Sequence, residues 1–572
     1  MTGQSGASRI VDALKASGVE CVFGLPGTQT LELFEALRES SLRTVIATNE
    51  LNAAFMAGGW AKVTGSPGVL LTISGPGFMW ALNGVAEARL DSVPLLHISG
   101  APIDTPVGRR SRQQELPQAA IAAPLVKGVI EADQYSDPGL AVLDGLELAC
   151  TGEPGPVLLH VSSATLRREF RRVALSARPS AATEHGGFAA VCARIHASQH
   201  PIFIVGQGTN THGNLIAELA NRIGAPVLTT PSARGVLPED SALNVAFDPF
   251  TGDIRVVNEL AHRSDLIVAI GCKLGHASTA GFELELPPAR LIHIDASAEV
   301  VGANYPASLM VIADAGDALR AILDSNPARS GWTASEIESW RSRAATLAPD
   351  PWEPRIAGTP ARDARNFFET LRGAIPRDAI LVLDSGLHQV LARRYYRVLS
   401  AAGLMMPTDL QSMGFAIPTA IGARLASPAR VVVALLGDGG FAMTALALLP
   451  AAAEGISLVV IVFVDGKFGQ IRMQQLSSYG VDHGVAIENP DMELLASAVG
   501  ARYELVNDGN LADVICNAVA YSGVTVVEVI VGDTPKIRRK SAISRARETS
   551  RRVAGPQLFG IVAKLFRRRR KP

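Results

Sequence analysis

Residues 431–472 hold the feature that most constrains the fold: two apolar, β-branched runs, each ending on Asp-Gly, joined by an Ala/Leu-rich stretch. Runs of this kind, without polar alternation, are buried on both faces, and the stretch between them has the composition of a crossover helix. They predict a βαβ unit in a parallel sheet. The first run passes into Gly437-Asp438-Gly439-Gly440, and the second, residues 456–464, into Asp465-Gly466-Lys467-Phe468-Gly469. Both carboxylates then emerge at the carboxyl edge of the sheet, where open α/β folds bind ligands. Their separation, 465 − 438 = 27 residues, is enough for one crossover between neighbouring parallel strands. Two hard oxygen ligands suit Mg²⁺ or Ca²⁺, and Gly439-Gly440 offers bare backbone N–H groups to a phosphate. A lone Asp-Gly reads as a strand-end turn; two at crossover spacing point to a metal-bridged diphosphate.

That segment resembles the thiamin diphosphate signature of the acetolactate synthase and pyruvate decarboxylase superfamily, which begins Gly-Asp-Gly and ends in Asn-Asn or Asn-Asp. The resemblance implies Asp438, Asp465 and the carbonyl of Lys467 as Mg²⁺ ligands. It also places Gly437, Gly439, Gly440, Phe468, Gly469 and Gln470 around the diphosphate. Val464-Asp465 stands where many members have two asparagines. A second carboxylate beside a diphosphate makes metal affinity more pH-dependent.

Near the N-terminus, residues 19–24 read as a strand entering a turn at Leu25-Pro26-Gly27, and residues 44–47 as a second short strand. Thr48-Asn49-Glu50-Leu51 then opens a helix that runs to Gly65. Glu50 thus sits at a strand-to-helix junction among Leu51, Ala53, Ala54, Phe55 and Met56. It reads either as a first-turn acid favoured by the helix dipole or as a carboxyl whose pKa desolvation raises toward proton-transfer use. Asn-Glu-Leu-Asn-Ala is similar to the glutamate segment of the same superfamily, where the carboxylate bonds N1′ of the aminopyrimidine and favours its imino tautomer. The resemblance implies that role for Glu50, with Pro26, Gly27, Ser74, Gly75 and His97 about the same pocket. Arg112-Gln113-Gln114-Glu115 resembles a Phe-Gln-Glu segment and puts Gln114 toward the pocket. The His-His pair of pyruvate decarboxylases has no counterpart, which argues against a simple decarboxylase.

A fresh α/β series begins after residue 187, with strand-and-turn units at residues 201–208, 226–230, 265–271 and 291–295. Gly206-Gln207-Gly208 starts a dinucleotide pattern that fails at its third glycine. Some acetolactate synthases hold FAD here and carry an Arg-x-x-x-Arg segment whose second Arg recognises an acceptor carboxylate. Lys273-Leu274-Gly275-His276-Ala277 stands in its place, and Ala277 makes no bidentate contact. That departure argues against FAD and against the biosynthetic acetolactate reaction.

In the last third, residues 379–384 read as a strand, and Ser385-Gly386-Leu387-His388-Gln389 resembles the Gly-Gln-His-Gln turn that touches the diphosphate. Gln411-Ser412-Met413-Gly414-Phe415 matches the Met-Gly-Phe segment of the superfamily. The match places Gln411 by the cofactor and Met413 beneath the bent cofactor; composition alone gives a core methionine. Gln474 replaces a Trp that shapes acceptor choice in acetolactate synthases, which implies a more polar acceptor pocket.

The expectation is an α/β chain of three doubly wound parallel-sheet domains. They span residues 1–170 (pyrimidine-binding), 188–340 (central, Rossmann-like) and 358–535 (diphosphate-binding), with a linker over 167–184 and a solvated basic tail over 536–572. The expected activity needs thiamin diphosphate and Mg²⁺. A small 2-oxo acid is decarboxylated and its acyl carbanion passes to a carbonyl acceptor. The resemblance implies a homodimer or homotetramer with the active site at the subunit interface. Alternatives are a non-oxidative 2-oxo acid decarboxylase, a lyase or hydrolase of a hydroxyketone or cyclic dione, and a non-catalytic thiamin diphosphate-binding protein. With 572 residues, 48% hydrophobic and 19% charged, the chain supports several packed domains. A net charge of −1 gives no reason to expect nucleic-acid binding. Without an apolar run of the ~18 residues a membrane helix needs, no membrane span is expected and the cytoplasm is the expected location. Five scattered cysteines read as buried reduced thiols.

Overall fold

The computed structural model describes residues 3–101, 113–171, 174–176, 187–245, 248, 253–345 and 352–532. Arg112 and the basic tail lie outside them. Three parallel sheets flanked by helices make up the molecule. The first has six strands in the order Arg43–Ile46, Cys21–Gly24, Gly68–Thr72, Leu95–Gly100, Pro156–Val161, Gly128–Glu131. The central sheet has five: Val227–Thr229, Pro201–Val205, Leu266–Ile270, Leu291–Asp295, Leu309–Ile312. The third repeats the first, in the order Leu404–Met405, Ile380–Leu383, Val432–Gly437, Leu458–Val464, Val524–Ile530, Arg502–Val506.

In both six-stranded sheets the first strand in the chain lies second in the row. The chain steps outward once and then crosses to the other side. The reversal leaves a crevice beyond the strand ends, which is where such sheets bind ligands. It falls between Cys21–Gly24 and Gly68–Thr72 in one sheet and between Ile380–Leu383 and Val432–Gly437 in the other.

The two six-stranded units share one hydrophobic core. Helix Glu50–Thr64 crosses helix Ala416–Ala426 so closely that a methyl on Gly59 would overlap the Thr419 carbonyl, and one on Gly422 the Met56 carbonyl. Phe55 and Phe415 meet edge to face beside the crossing, with ring centroids 5.4 Å apart. The central unit is tied to the third by buried ion pairs. Arg234 binds Glu239 and the carbonyls of Arg393 and Tyr396, and Arg393 binds both oxygens of Asp248 at 2.7 Å.

Three expectations need correction. The crossover helix after Gly437 is broken into Asp438–Thr444 and Leu448–Ala453, because Pro450 has no N–H to bond the turn before it. Part of the expected linker is a strand: Glu169–Phe170 pairs antiparallel with Gln4–Ser5, burying Phe170. Of the five cysteines, all free, Cys21 and Cys272 are buried while Cys150 and Cys516 are exposed. Among the described residues no helix is long and apolar enough to cross a membrane.

Candidate active site

Strands Val432–Gly437 and Leu458–Val464 pair with Gly437 opposite Phe463, so the aspartates that follow them are neighbours. Asp438 is buried. Its Oδ2 accepts the N–H groups of Asp465 (3.1 Å) and Gly466 (2.7 Å). Asp465 is half-buried; burial first, and then the adjacent Asp438 charge, push its carboxyl up to about 6. Gly466, with φ +65°, makes the turn that brings the Lys467 N–H to Asp465 Oδ1 at 3.2 Å.

These groups floor a cavity of about 120 Å³. Gly439 is bare toward it, since a Cβ there would stand 2.8 Å from the Phe468 ring and 3.4 Å from the Met413 methyl. Gly440, Gly469 and Gln470 share the lining, and Gly386 and Leu387 close the opposite wall. His388 lies on that wall too. Its Nε2 bonds the carbonyl oxygen of Asp384 at 2.9 Å, and burial pushes the imidazole down to about 4, so the ring is neutral with Nε2 as donor.

Two expected residues turn elsewhere. Gln389 donates to the Pro407 carbonyl at 3.1 Å, and Gln411 donates to the Pro407 and Thr408 carbonyls at 2.8 Å each. Both tie down the loop before Met413, and neither is part of the cavity lining. Met413 itself is fixed on both sides. Asp384, fully buried, accepts the N–H groups of Gly414 (3.0 Å) and Ala416 (2.9 Å), and Glu87 accepts that of Ser412 (3.1 Å). Burial pushes Asp384 up to about 6, against those bonds, and burial with the nearby Asp91 pushes Glu87 up to about 7.

At the other switch point, Glu50 is the first residue of helix Glu50–Thr64, capped by the Asn49 side chain on the Asn52 N–H at 2.8 Å. Glu50 is half-buried. The space a side chain would need at Gly77 is filled by its carboxylate, whose Oε1 lies 2.5 Å from a Cβ built there. Gln114, at φ +59°, packs over Gly75, and its Oε1 accepts from Gln29. Ser74 is buried beside them, its hydroxyl without a partner among the described residues. Pro26 and Gly27 follow the strand next door, and Gly27 packs against Ile73. His97 faces the core instead, bonded to Thr72 at 2.8 Å and stacked on Phe78.

A larger cavity, about 470 Å³, lies where the three units meet, at the carboxyl ends of the central strands. Gly206 and Gly208 pack against Gly271 there, and Asp295 and Ala277 are in its lining. Lys273 pairs with Glu153 across it at 2.8 Å.

The structure therefore gathers the expected residues into two groups, one at each switch point, with Gln389 and Gln411 behind the second. Four residues of these groups escaped the sequence reading: Asp384, Glu87, Gln29 and Asn489, the last donating to Asp438 at 2.8 Å. Asp384 carried a readable signal, an aspartate ending an apolar strand, identical to that of Asp438. The other three sit in segments whose partners are set by tertiary packing.

Residues 4–121 match the thiamine pyrophosphate enzyme N-terminal TPP binding domain, residues 188–322 the central domain and residues 384–529 the C-terminal TPP binding domain. The chain is 31% identical to a probable 2-ketoarginine decarboxylase of Pseudomonas aeruginosa, over 91% of this chain and 93% of that protein. It is 29% identical to an acetolactate synthase large subunit of Lactococcus lactis, over 89% of each chain. A Corynebacterium glutamicum acetolactate synthase large subunit is also 29% identical, over 83% of this chain and 77% of that one. Two sheets of one topology, each with its expected residues at the switch point, accompany those matches, and the chain belongs to the thiamine pyrophosphate enzymes.

Proposed function

We propose that the protein is a thiamin diphosphate- and Mg²⁺-dependent 2-oxo acid decarboxylase and carboligase, assembled from at least two copies of the chain. One observation carries the reading: two carboxylates at the ends of adjacent parallel strands flank a glycine left bare toward Met413 and Phe468. The donor set fits the ion. Two carboxylates and the Lys467 carbonyl are hard oxygens but only part of an octahedral set, which leaves positions for phosphate oxygens and water. The cavity fits one end of the cofactor. At about 120 Å³ it is well below the ~300–1,000 Å³ of a whole small-molecule site.

When bound, thiamin diphosphate supplies the electron sink for loss of CO₂ from a 2-oxo acid. In this reading Asp438, Asp465 and the Lys467 carbonyl hold the ion. Gly437, Gly439, Gly440, Gly469 and Gln470 leave room for the diphosphate against Gly386, Leu387 and His388. Neutral His388 adds no charge there. Met413 and Phe468 would give the cavity an apolar side that excludes water and against which the cofactor would rest. Glu50 holds a proton at N1′ of the aminopyrimidine, and Gln114 lies beside it with Ser74, Pro26 and Gly27.

Glu50 and Asp438 belong to different switch points, and Glu50 is absent from the lining of the diphosphate cavity. Pairing two copies would bring one chain's Glu50 to the other's Asp438. Exposed apolar side chains stand beside both groups and support a second copy. Met79 and Trp80 follow the Gly77 turn; Met443, Leu446 and Leu449 follow Asp438.

The test is CO₂ release from a panel of 2-oxo acids by protein loaded with thiamin diphosphate and Mg²⁺, with and without an aldehyde or a second 2-oxo acid. A carboligase consumes the acceptor in proportion to CO₂, whereas a decarboxylase releases the free aldehyde in either case. Glu50→Gln should slow turnover by about 10²–10⁴-fold, the usual scale of general acid–base catalysis. No CO₂ from any member of the panel, or an unaffected Glu50→Gln, would refute the reading.

A further inference from the structure

The two oxygens of the buried Asp438 carboxylate are used unequally. Oδ2 accepts three hydrogen bonds, from the N–H groups of Asp465 (3.1 Å) and Gly466 (2.7 Å) and from Nδ2 of Asn489 (2.8 Å). Oδ1 accepts one, from Gly439 N–H at 2.9 Å. A carboxylate oxygen offers about two lone-pair sites, so Oδ2 is saturated and Oδ1 is the oxygen left for a cation. Two of the three donors on Oδ2 come from the Asp465 turn itself. The third arrives from 489 − 465 = 24 residues further along the chain.

Asn489 reaches the site on a strap laid against the Asp465 turn. Phe468 N–H donates to the Val485 carbonyl at 2.8 Å, Ile487 N–H donates to the Gly466 carbonyl at 3.0 Å, and Lys467 pairs antiparallel with Ala486. Helix Gly469–Ser478, which leads into the strap, buries no side chain. Hydrogen bonds and the buried Val485 side chain hold the strap on this edge, and Asn489 adds a bond that ends on the Asp438 carboxylate. The other end of its amide gives a second, independent sign. Asn489 Oδ1 is buried and has no partner among the described residues. Buried polar atoms are nearly always satisfied, and an orphan acceptor beside the Asp438 carboxylate suits a water carried by a hydrated cation.

We propose that Asn489 is a positioning residue of the divalent-cation site: its Nδ2 locks Asp438 through Oδ2 so that Oδ1 faces the ion. The proposal deepens the reading above and rests on it. Groups that orient a metal ligand from behind change metal affinity by about 10–100-fold when removed.

The experiment is a Mn²⁺ titration of the metal-free, full-length protein with saturating thiamin diphosphate, free Mn²⁺ being read by electron paramagnetic resonance. Asn489→Leu keeps the size and loses the donor; Asn489→Gln keeps an amide donor at a half-buried position. Mn²⁺ should bind about 10–100-fold more weakly to Asn489→Leu and within a few-fold of wild type to Asn489→Gln. The melting temperatures of all three metal-free proteins should agree within about 2 °C. Equal Mn²⁺ affinity of Asn489→Leu and wild type would overturn the proposal and leave the cation site standing. Asn489→Gln as weak as Asn489→Leu would also overturn it, by showing that shape rather than the donor matters. Wild-type protein that takes up no Mn²⁺ beside thiamin diphosphate would remove the cation site itself, and the proposal with it.

Discussion

Asp465 puts a second carboxylate beside Asp438, and its surroundings set a pH dependence that an asparagine would lack. Burial and the neighbouring Asp438 hold its carboxyl at about 6 rather than the ordinary 3.8. A cation binds the ionised form, so below that value each binding event must displace a proton. At pH 5 only about one Asp465 in eleven is ionised, against nearly all at pH 7.5, so this group alone weakens cation binding about tenfold over that range. The sign for the fold itself is opposite to that of a salt-bridged acid. The folded pKa is raised, so the metal-free fold holds an extra proton between about pH 4 and 6 and loses stability as pH rises through that window. Two units at about 1.4 kcal/mol each give up to ~3 kcal/mol, which solvent at this half-buried site reduces to about 1–2 kcal/mol. Asp465→Asn should therefore stabilise the metal-free protein by about that much at pH 7.5 and leave it unchanged at pH 4. The assay is Mn²⁺ affinity in the presence of thiamin diphosphate at pH 5, 6 and 7.5 for both proteins. The diphosphate titrates as well, so the informative quantity is the difference between the two pH slopes. Equal slopes would show that Asp465 does not change protonation on binding the ion, and the argument would fail.

Three further outcomes follow from the packing. Arg393→Met removes the bidentate partner of buried Asp248, leaves it the longer 3.9 Å contact to Arg234, and should cost about 1–3 kcal/mol, read as an early loss of the central unit in chemical denaturation; no change would contradict this. Gly422→Ala drives a methyl into the Met56 carbonyl at the helix crossing. It should cost at least the ~1–3 kcal/mol of ordinary overpacking, because backbone cannot swing aside, with weakened cofactor binding visible by calorimetry. Trp80→Glu puts a charge on an exposed apolar surface beside the Glu50 turn. It should lower the oligomeric state in sedimentation and remove activity while leaving the circular dichroism of the chain intact; an active monomer would show that one copy suffices.

Strands were legible where apolar residues run without alternation, because strands buried on both faces leave no other reading. Asp438 and Asp465 were legible because the rule for parallel sheets places whatever follows a strand at the binding edge. The same rule applied to Asp384, but an aspartate ahead of Ser-Gly was read only as a strand end. Side-chain direction was not legible. Gln389 and Gln411 stand at the right edge in sequence, yet the Pro407 carbonyl draws both amides into the loop. Glu87 and Asn489 were out of reach for another reason: their partners lie 325 and 51 residues away, and no local pattern records a contact of that range.

Those long-range contacts explain why the two cofactor-binding units are fused into one core. Met413 stands on a loop, and a loop residue fixes a ligand's shape only if its peptide cannot shift. Here the N–H before it is bound by Glu87, from a helix of the first unit, and the N–H after it by Asp384, from the third. Both carboxyl groups are buried, where a hydrogen bond is worth more than at the surface. The Ser412 hydroxyl adds a bond to Asn83 on the same helix as Glu87. Met413 is thus referenced to both units at once, and its position depends on how they are docked. The glycine crossing at Gly59 and Gly422 sets that docking, so a distortion there must reach the Met413 side of the cavity beside Asp438 although neither glycine belongs to its lining.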